Sequence, residues 1–207
     1  MKQELTPSRL PNRAISDPEK IKEALEASLF CTVSYARDNR AFSIPTGFCL
    51  ADDKLYIHGS VKSHFLLEAK KHEVCISTFL FDGLVLAGSA FQHSVNYRSV
   101  ILFAKGVEIT DEVQKTAVLK TYTNRYVPGR WDEVRPVNEG ELKATMVLGF
   151  DLEKASLKVR NGPPSFDPKD YRPGLWTGVI PSLMNWGEPV PDPNLRGGVP
   201  YPNYFKN

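Results

Sequence analysis

Apolar positions along this chain change their period twice. Between Ser16 and Ser28 they recur at helical spacing through Ile21, Ala24 and Leu25. Ser16 stands three residues before Glu19, a capping-box spacing, and Pro18 suits the first turn. From Leu29 onward the runs become short and rich in β-branched and aromatic residues. Leu29–Tyr35, Arg40–Leu50 and Lys54–His58 are separated by Arg37-Asp38-Asn39 and Ala51-Asp52-Asp53, which are turn material, so two consecutive hairpins are predicted. Ser60 to Lys71 reads as a short helix with Leu66, Leu67 and Ala69 available for packing. Glu73–Phe81, Leu84–Phe91 and Tyr97–Ile109 predict three more strands, the first two joined by a hairpin at Asp82-Gly83. Asp111 caps a helix that carries Val113, Ala117 and Val118 and stops before Pro128-Gly129. A last strand pair covers Ala144–Asp151 and Ser156–Arg160.

Beyond Arg160 the periodicity disappears, and ten of the sixteen prolines fall there. Proline lacks the N–H and fixes φ, so this segment is neither a central strand nor a helix. It still carries Phe166, Tyr171, Trp176, Trp186, Tyr201, Tyr204 and Phe205, more large aromatics than a free tail holds, and is expected to pack on the core or on a partner subunit. The predicted organisation is an N-terminal arm (1–15), a core domain (16–160) and an extended C-terminal segment (161–207). Six to eight strands with short connections predict a mainly β fold, closed as an antiparallel barrel that removes its edges.

Composition narrows the function classes. In 207 residues, 42% are hydrophobic and 24% charged, as in an ordinary globular protein. A net charge of +2 gives no reason to expect nucleic acid or an anionic membrane as partner. Cys31, Cys49 and Cys75 form no C-x-x-C pair and sit in or beside apolar runs, which suits buried thiols in a reducing compartment. The N-terminus has no apolar core of signal-peptide length and no stretch is long enough to span a bilayer, so a cytoplasmic location is expected. No G-x-G-x-x-G follows a strand, which argues against a dedicated dinucleotide domain.

Two segments carry candidate chemistry. His58-Gly59-Ser60-Val61-Lys62-Ser63-His64 falls where a strand gives way to a helix. Unpaired N–H groups there, hydroxyls from Ser60 and Ser63, the charge of Lys62 and the close approach permitted by Gly59 together suit a phosphate. An ordinary capped helix with a solvated lysine explains the same residues. Asn96-Tyr97-Arg98-Ser99 opens a strongly apolar strand, and Arg98 and Ser99 must face opposite sides of it. These residues suit a pocket mouth or, equally, an exposed strand start with a surface ion pair. His58, His64 and Glu68 match no strong metal spacing, so no metal site is predicted, and the absence of G-x-S-x-G argues against a serine hydrolase.

An ordered set of motifs then carries a family resemblance. Leu55 to Ser60, Ser63-His64, Asp82-Gly83-Leu84-Val85-Leu86-Ala87 and His93 to Val100 resemble the pyridoxamine 5′-phosphate oxidase-related, FMN-binding split-barrel proteins, in particular the branch that includes the nitroimidazole-resistance (Nim) proteins. Gly162-Pro163-Pro164 and Trp176 to Pro181 resemble that branch as well, and the likeness runs from Asn12 to Pro191. It implies a six-stranded antiparallel split barrel with flanking helices, working as a homodimer with FMN in the subunit interface. By family pattern, Arg40, Ser43, Ile44, Pro45 and Thr46 run beside the isoalloxazine. By the same pattern His58, Ser63 and His64 contact the phosphate, Ser99 lies near the ring and Trp176 reaches the partner's flavin; Gly59, Ser60 and Lys62 join the phosphate site, and Asn96, Tyr97 and Arg98 the ring site, on the residue chemistry given above. With Arg98 near the N1–C2 edge, a cation would stabilise the reduced flavin.

The implied function is a flavin-dependent oxidoreductase that reduces a small acceptor, nitroaromatic or quinone-like, with NAD(P)H as a candidate donor; no catalytic residue is assigned, although His64 falls in a part of the site where Nim-type relatives carry a histidine. The oxidases hold substrate with a C-terminal R-L-H-D-R-like segment. Ser182 to Glu188 stands there instead, which argues against a true pyridoxamine phosphate oxidase. A non-catalytic flavin sensor and a tetrapyrrole binder with a histidine axial ligand are the alternatives on the same fold.

Overall fold

The structure, a computed structural model, describes residues 13–202 and 204. Most of the predicted N-terminal arm lies outside the described residues. The strands are β1 (Ala14–Ile15), β2 (Phe30–Arg37), β3 (Arg40–Gly47), β4 (Cys49–Ala51), β5 (Lys54–Ser60), β6 (Glu73–Leu86), β7 (Ser94–Lys105), β8 (Val107–Glu108), β9 (Thr145–Asp151), β10 (Ala155–Arg160) and β11 (Gly178–Pro181). The helices are α1 (Pro18–Ala27), α2 (His64–Lys71), α3 (Glu112–Tyr126) and α4 (Glu139–Ala144). The fold is mainly β, and every strand pairing is antiparallel.

Of the three polar interruptions read as turns, two are turns and one is not. Asp38-Asn39 and Asp52-Asp53 hold positive φ at both central residues (51° and 58°, 47° and 56°), the two-residue geometry that matches strand twist, and they close β2–β3 and β4–β5. Asp82-Gly83 makes no hairpin. β6 runs straight through it, and the register against β7 passes from Phe81↔Tyr97 to Gly83↔Asn96, so Asp82 is one extra residue, a β-bulge. The parity of burial changes there. Val74, Ile76 and Thr78 face inward before the bulge, and Gly83, Val85 and Ala87 after it. A hairpin is ruled out because β7 continues alongside on one edge while β11 pairs with Gly83–Leu86 on the other.

Two sheets result. One has the order β1-β10-β7-β6-β2-β3, with β11 beside the far half of β6; the other has the order β4-β5-β9-β8. The chain crosses between them at Phe48 and Gly106, so each long strand read from sequence, Arg40–Leu50 and Tyr97–Ile109, is two strands in different sheets. β9 and β10, expected as a pair, likewise belong to different sheets: β9 joins β5 and β8, β10 joins β7 and β1. Between the sheets lies the core, with Val33, Ile76, Val100 and Leu102 against Leu55, Ile57, Leu148 and Phe150, closed by Ile21 and Leu25 of α1 and Leu66 of α2. On the other side of the small sheet, Cys49, Tyr56 and Val147 pack on Val118 and Leu119 of α3 and Leu142 of α4. The small sheet is therefore covered on both faces, which explains why β9 is buried from Met146 through Phe150 without alternation.

The helix starts follow local chemistry, with corrections. Asp17, not Ser16, caps α1: its carboxylate accepts from the N–H of Glu19 at 3.0 Å, with Pro18 in the first turn. Asp111 caps α3 as expected. α4, unforeseen, begins at a capping box of Asn138 and Glu141. The predicted helix from Ser60 starts later, because β5 keeps its pairing with β9 through Ser60↔Thr145, and α2 begins only at His64.

Arg125, in the last turn of α3, ties these parts together. Its Nη2 donates to the carbonyls of Leu25 (2.8 Å), Glu26 (3.2 Å) and Ser28 (2.6 Å), the orphan acceptors at the end of α1. The guanidinium carbon also lies 4.6 Å from the centre of the buried Phe48 ring, at the crossing between sheets. Arg125→Ala is expected to destabilise the fold by about 2–4 kcal/mol, since charged hydrogen bonds and a cation–π contact are lost together. A urea midpoint unchanged from wild type would contradict this.

Candidate functional site

The large sheet has one face on the core and one face bare. Cross-strand partners share a face, so Pro45, Thr32, Ser77 and Ile101 align outward, as do Ser43, Ser34, Cys75 and Phe103. Phe30, Phe79 and Phe81 are among the exposed large hydrophobics on this side, and Phe79 stacks on Tyr97 with centroids 6.0 Å apart. A shallow hollow of about 380 Å³ opens among Ser34, Ser43, Cys75 and Phe103. This face mixes exposed aromatic rings with serine and threonine hydroxyls and is a candidate binding surface.

Parity sorts the residues proposed from sequence. Ser43 and Pro45 of β3 lie on the bare face with Tyr97 and Ser99 of β7, whereas Ile44, Thr46 and Arg98 point to the other. Arg40 is exposed beside the β2–β3 turn, paired with Arg37. Arg98 is engaged within the chain: Nε donates to Asp82 Oδ2 at 3.0 Å and Nη2 to Oδ1 at 2.7 Å, a bidentate pair that pins the bulge and raises the guanidinium pKa further. Asn96 is buried and tied to the start of the C-terminal segment, donating to the Gly162 carbonyl at 3.1 Å and accepting from Arg160. Trp176 is exposed, its ring folded over Gly178 at the start of β11.

The corner from His58 to His64 is a strand end, a turn and a helix start. The turn uses some of its own donors: Val61 N–H reaches the Ala144 carbonyl (3.0 Å), Lys62 N–H the Ser60 hydroxyl (3.2 Å) and Ser63 N–H the Ser60 carbonyl (2.9 Å). Ser63 occupies the cap position of α2, yet its hydroxyl makes no cap hydrogen bond. The first-turn donors of α2 thus have no side-chain acceptor, and the exposed Lys62 stands beside them. Such a corner can receive an anion. His58, His64 and Glu68 do not form a metal-binding group among the described residues.

Sequence reasoning missed the wall that connects this corner to the bare face. Tyr122 and Tyr126, four residues apart on α3, stand behind it. His58 meets Tyr122 edge-on at 4.3 Å between centroids, Tyr122 lies 4.9 Å from Tyr126, and Tyr126 lies 6.2 Å from Phe30. Tyr126 donates to the Leu29 carbonyl at 2.6 Å and accepts from Phe48 N–H at 3.0 Å. Gly47 makes room for both tyrosines, since a Cβ there would lie 2.2 Å from the Tyr122 oxygen. The i,i+4 tyrosine pair was visible in the sequence; its target was not. Burial, reinforced by Tyr126, pushes the Tyr122 hydroxyl up to about 12, and burial holds the His58 imidazole below its ordinary 6.5. Both are neutral at neutral pH, so positive charge at the corner comes from Lys62 and not from His58.

A family profile described as pyridoxamine 5′-phosphate oxidase matches residues 17–159. Two solved structures match over nearly the whole chain. The flavocytochrome Anf3 from Azotobacter vinelandii is 34% identical with a TM-score of 0.89, over 97% of this chain and 94% of that one. An FAD- and haem-binding protein from Mycobacterium smegmatis is 32% identical with a TM-score of 0.87, over 93% and 95%. A proposed 5-nitroimidazole antibiotic resistance protein from Bacteroides thetaiotaomicron shares the fold at 19% identity, with a TM-score of 0.60 over 70% of this chain and 86% of that one. No functionally curated protein matches the sequence.

The His58 environment has a consequence for stability. A histidine whose folded pKa lies below its unfolded value takes up its proton more readily in the unfolded chain, so this group destabilises the fold as pH falls through 6.5. His58→Gln is expected to flatten the loss of stability below that pH. NMR titration should find the His58 midpoint below 6.5, and a midpoint at or above it would contradict the burial argument.

Proposed function

The chain belongs to the pyridoxamine 5′-phosphate oxidase family, and from that premise we propose that it binds a flavin and a haem and passes electrons between them. One observation carries this reading: two relatives that align over more than nine-tenths of the chain at above 30% identity are a flavocytochrome and an FAD- and haem-binding protein. Flavin and tetrapyrrole, weighed as alternatives from sequence, become parts of one function. The nitroaromatic-reductase reading is weaker support, because the nitroimidazole-resistance likeness is one of fold.

The chain's own residues fit both groups. For the flavin, Lys62, the hydroxyls of Ser60 and Ser63 and the uncapped N–H groups of α2 suit the phosphate that FMN and FAD share. The bare face, with Phe30, Phe79, Tyr97, Ser43 and Ser99, suits the flat ring system. Neutral His58 and Tyr122 give the corner a dry wall without a competing charge. For the haem, an axial imidazole needs a free nitrogen. His72 faces Glu68 and His58 is held against Tyr122, whereas the exposed His93 gives Nδ1 to the Ser89 carbonyl at 2.8 Å and keeps Nε2 open, the arrangement an axial imidazole uses. His64 is likewise exposed, at the start of α2 beside the phosphate corner, and we assign the iron to one of these two imidazoles.

When bound, a flavin exchanges electrons in pairs or singly and a haem iron singly, so together they can split a two-electron donor such as NAD(P)H into single steps. The bare face is also where a second copy of the chain would cover the flavin. We read the protein as a homodimer and its two sheets as the halves of the family's six-stranded split barrel, with segment 161–207 packing on the barrel or the partner.

Purified chain is expected to show flavin absorption together with a Soret band. His64→Ala or His93→Ala should lose the Soret band and keep the flavin, and His72→Ala should keep both. A protein that takes up neither group overturns the proposal. A Soret band unchanged in both the His64→Ala and the His93→Ala protein moves the ligand elsewhere.

A further inference from the structure

A cavity of about 500 Å³ lies between the end of β6 and the proline-rich segment that follows β10. Its volume is in the range that holds a small organic ligand. We propose that it receives an adenosine 5′-phosphate group, either the distal half of a bound FAD or a separate adenine nucleotide. In the first form the inference rests on the flavin reading above; in the second it stands alone.

The lining offers each part of that ligand a partner. Phe166 and Tyr171 are 77% and 68% exposed on the cavity wall, two aromatic faces left uncovered by the chain and suited to stacking on a base. Arg172 stands beside them; its carbonyl accepts from Leu175 N–H at 3.2 Å, while its guanidinium makes no hydrogen bond or ion pair among the described residues, so its planar fork is available to a phosphate. The Asp170 carboxylate is likewise unbonded, and a carboxylate is the group that recognises a ribose diol. Asp167, by contrast, is used within the chain, accepting from Lys169 N–H at 3.0 Å.

The position of the cavity is built into the backbone. At Gly88 a Cβ would stand 2.6 Å from the Asp170 carbonyl oxygen, so the C-terminal segment can close on the end of β6 only over a glycine. The lining contains no histidine, cysteine or methionine, and so no imidazole or sulfur ligand for iron.

The test begins with the flavin released by heat from purified wild-type chain. FAD is expected. Phe166→Ala and Arg172→Glu, both at exposed positions, should each weaken FAD binding by about 5- to 100-fold and leave FMN binding within about twofold, with circular dichroism unchanged. Release of FMN instead assigns the cavity to a separate nucleotide, and AMP must then bind the flavin-loaded protein and lose affinity in both variants. Equal FAD and FMN affinities in all three proteins, with no AMP binding, overturn the proposal and leave the flavin reading standing. A chain that takes neither flavin overturns that reading, and the AMP titration alone then decides the cavity.

Discussion

The guanidinium of Arg125 stands where three parts of the fold must meet. Three carbonyls at the end of α1 point at it, and the ring of Phe48 lies beneath it where the chain leaves one sheet for the other. Because Arg125 is in the last turn of α3, the same contact fixes the azimuth of that helix. Tyr122 and Tyr126, three residues before and one after it, are thereby set against His58 and Gly47. A cation with several donors suits this place, since the half-buried carbonyls at the end of α1 gather beside a strand crossing. The wall of the candidate site is in this sense a by-product of capping α1.

The second constraint is unequal coverage. Helices α3 and α4 cover the outer face of the small sheet, and nothing in the described chain covers the outer face of the large one. Exposed aromatics of β2 and β6 therefore lie on that face, next to a corner with a lysine whose side chain has no partner among the described residues and a helix start without a side-chain cap. Burial keeps the groups between these two regions neutral, which leaves the few charges present to decide what binds. The Asp82–Arg98 pair belongs to the same economy: the extra residue of the bulge has its carboxylate neutralised by the strand it faces, and its backbone carbonyl accepts from Ser182 N–H at 3.1 Å. Bulge, ion pair and C-terminal strand form one unit that seats the proline-rich segment beside β6.

What could be read beforehand follows from the range of the interactions. The two I′ turns, the cap at Asp111 and the stop before Pro128-Gly129 depend on residues within four positions of each other, and all were legible. Asp82-Gly83 misled because the same dipeptide suits a tight turn and a bulge, and only the presence of β7 and β11 on either edge selects the bulge. The start of α2 was misplaced for a similar reason: pairing with β9, eighty-five residues downstream at Thr145, outweighs the local helix signal at Ser60.

The sequence by itself determined the β class, two of the three turns, the strand-to-helix corner from His58 to His64 and, through an ordered set of motifs, the family. These depend on local stereochemistry and on residue order. Tertiary structure alone decided that Arg98 and Asn96 are engaged within the chain, that Ser43, Pro45 and Ser99 share a bare face while Ile44 and Thr46 do not, and that two tyrosines from α3 wall the corner. Those outcomes turn on register and parity, where a one-residue shift sends every side chain to the opposite face, and no local pattern encodes which strand will lie alongside.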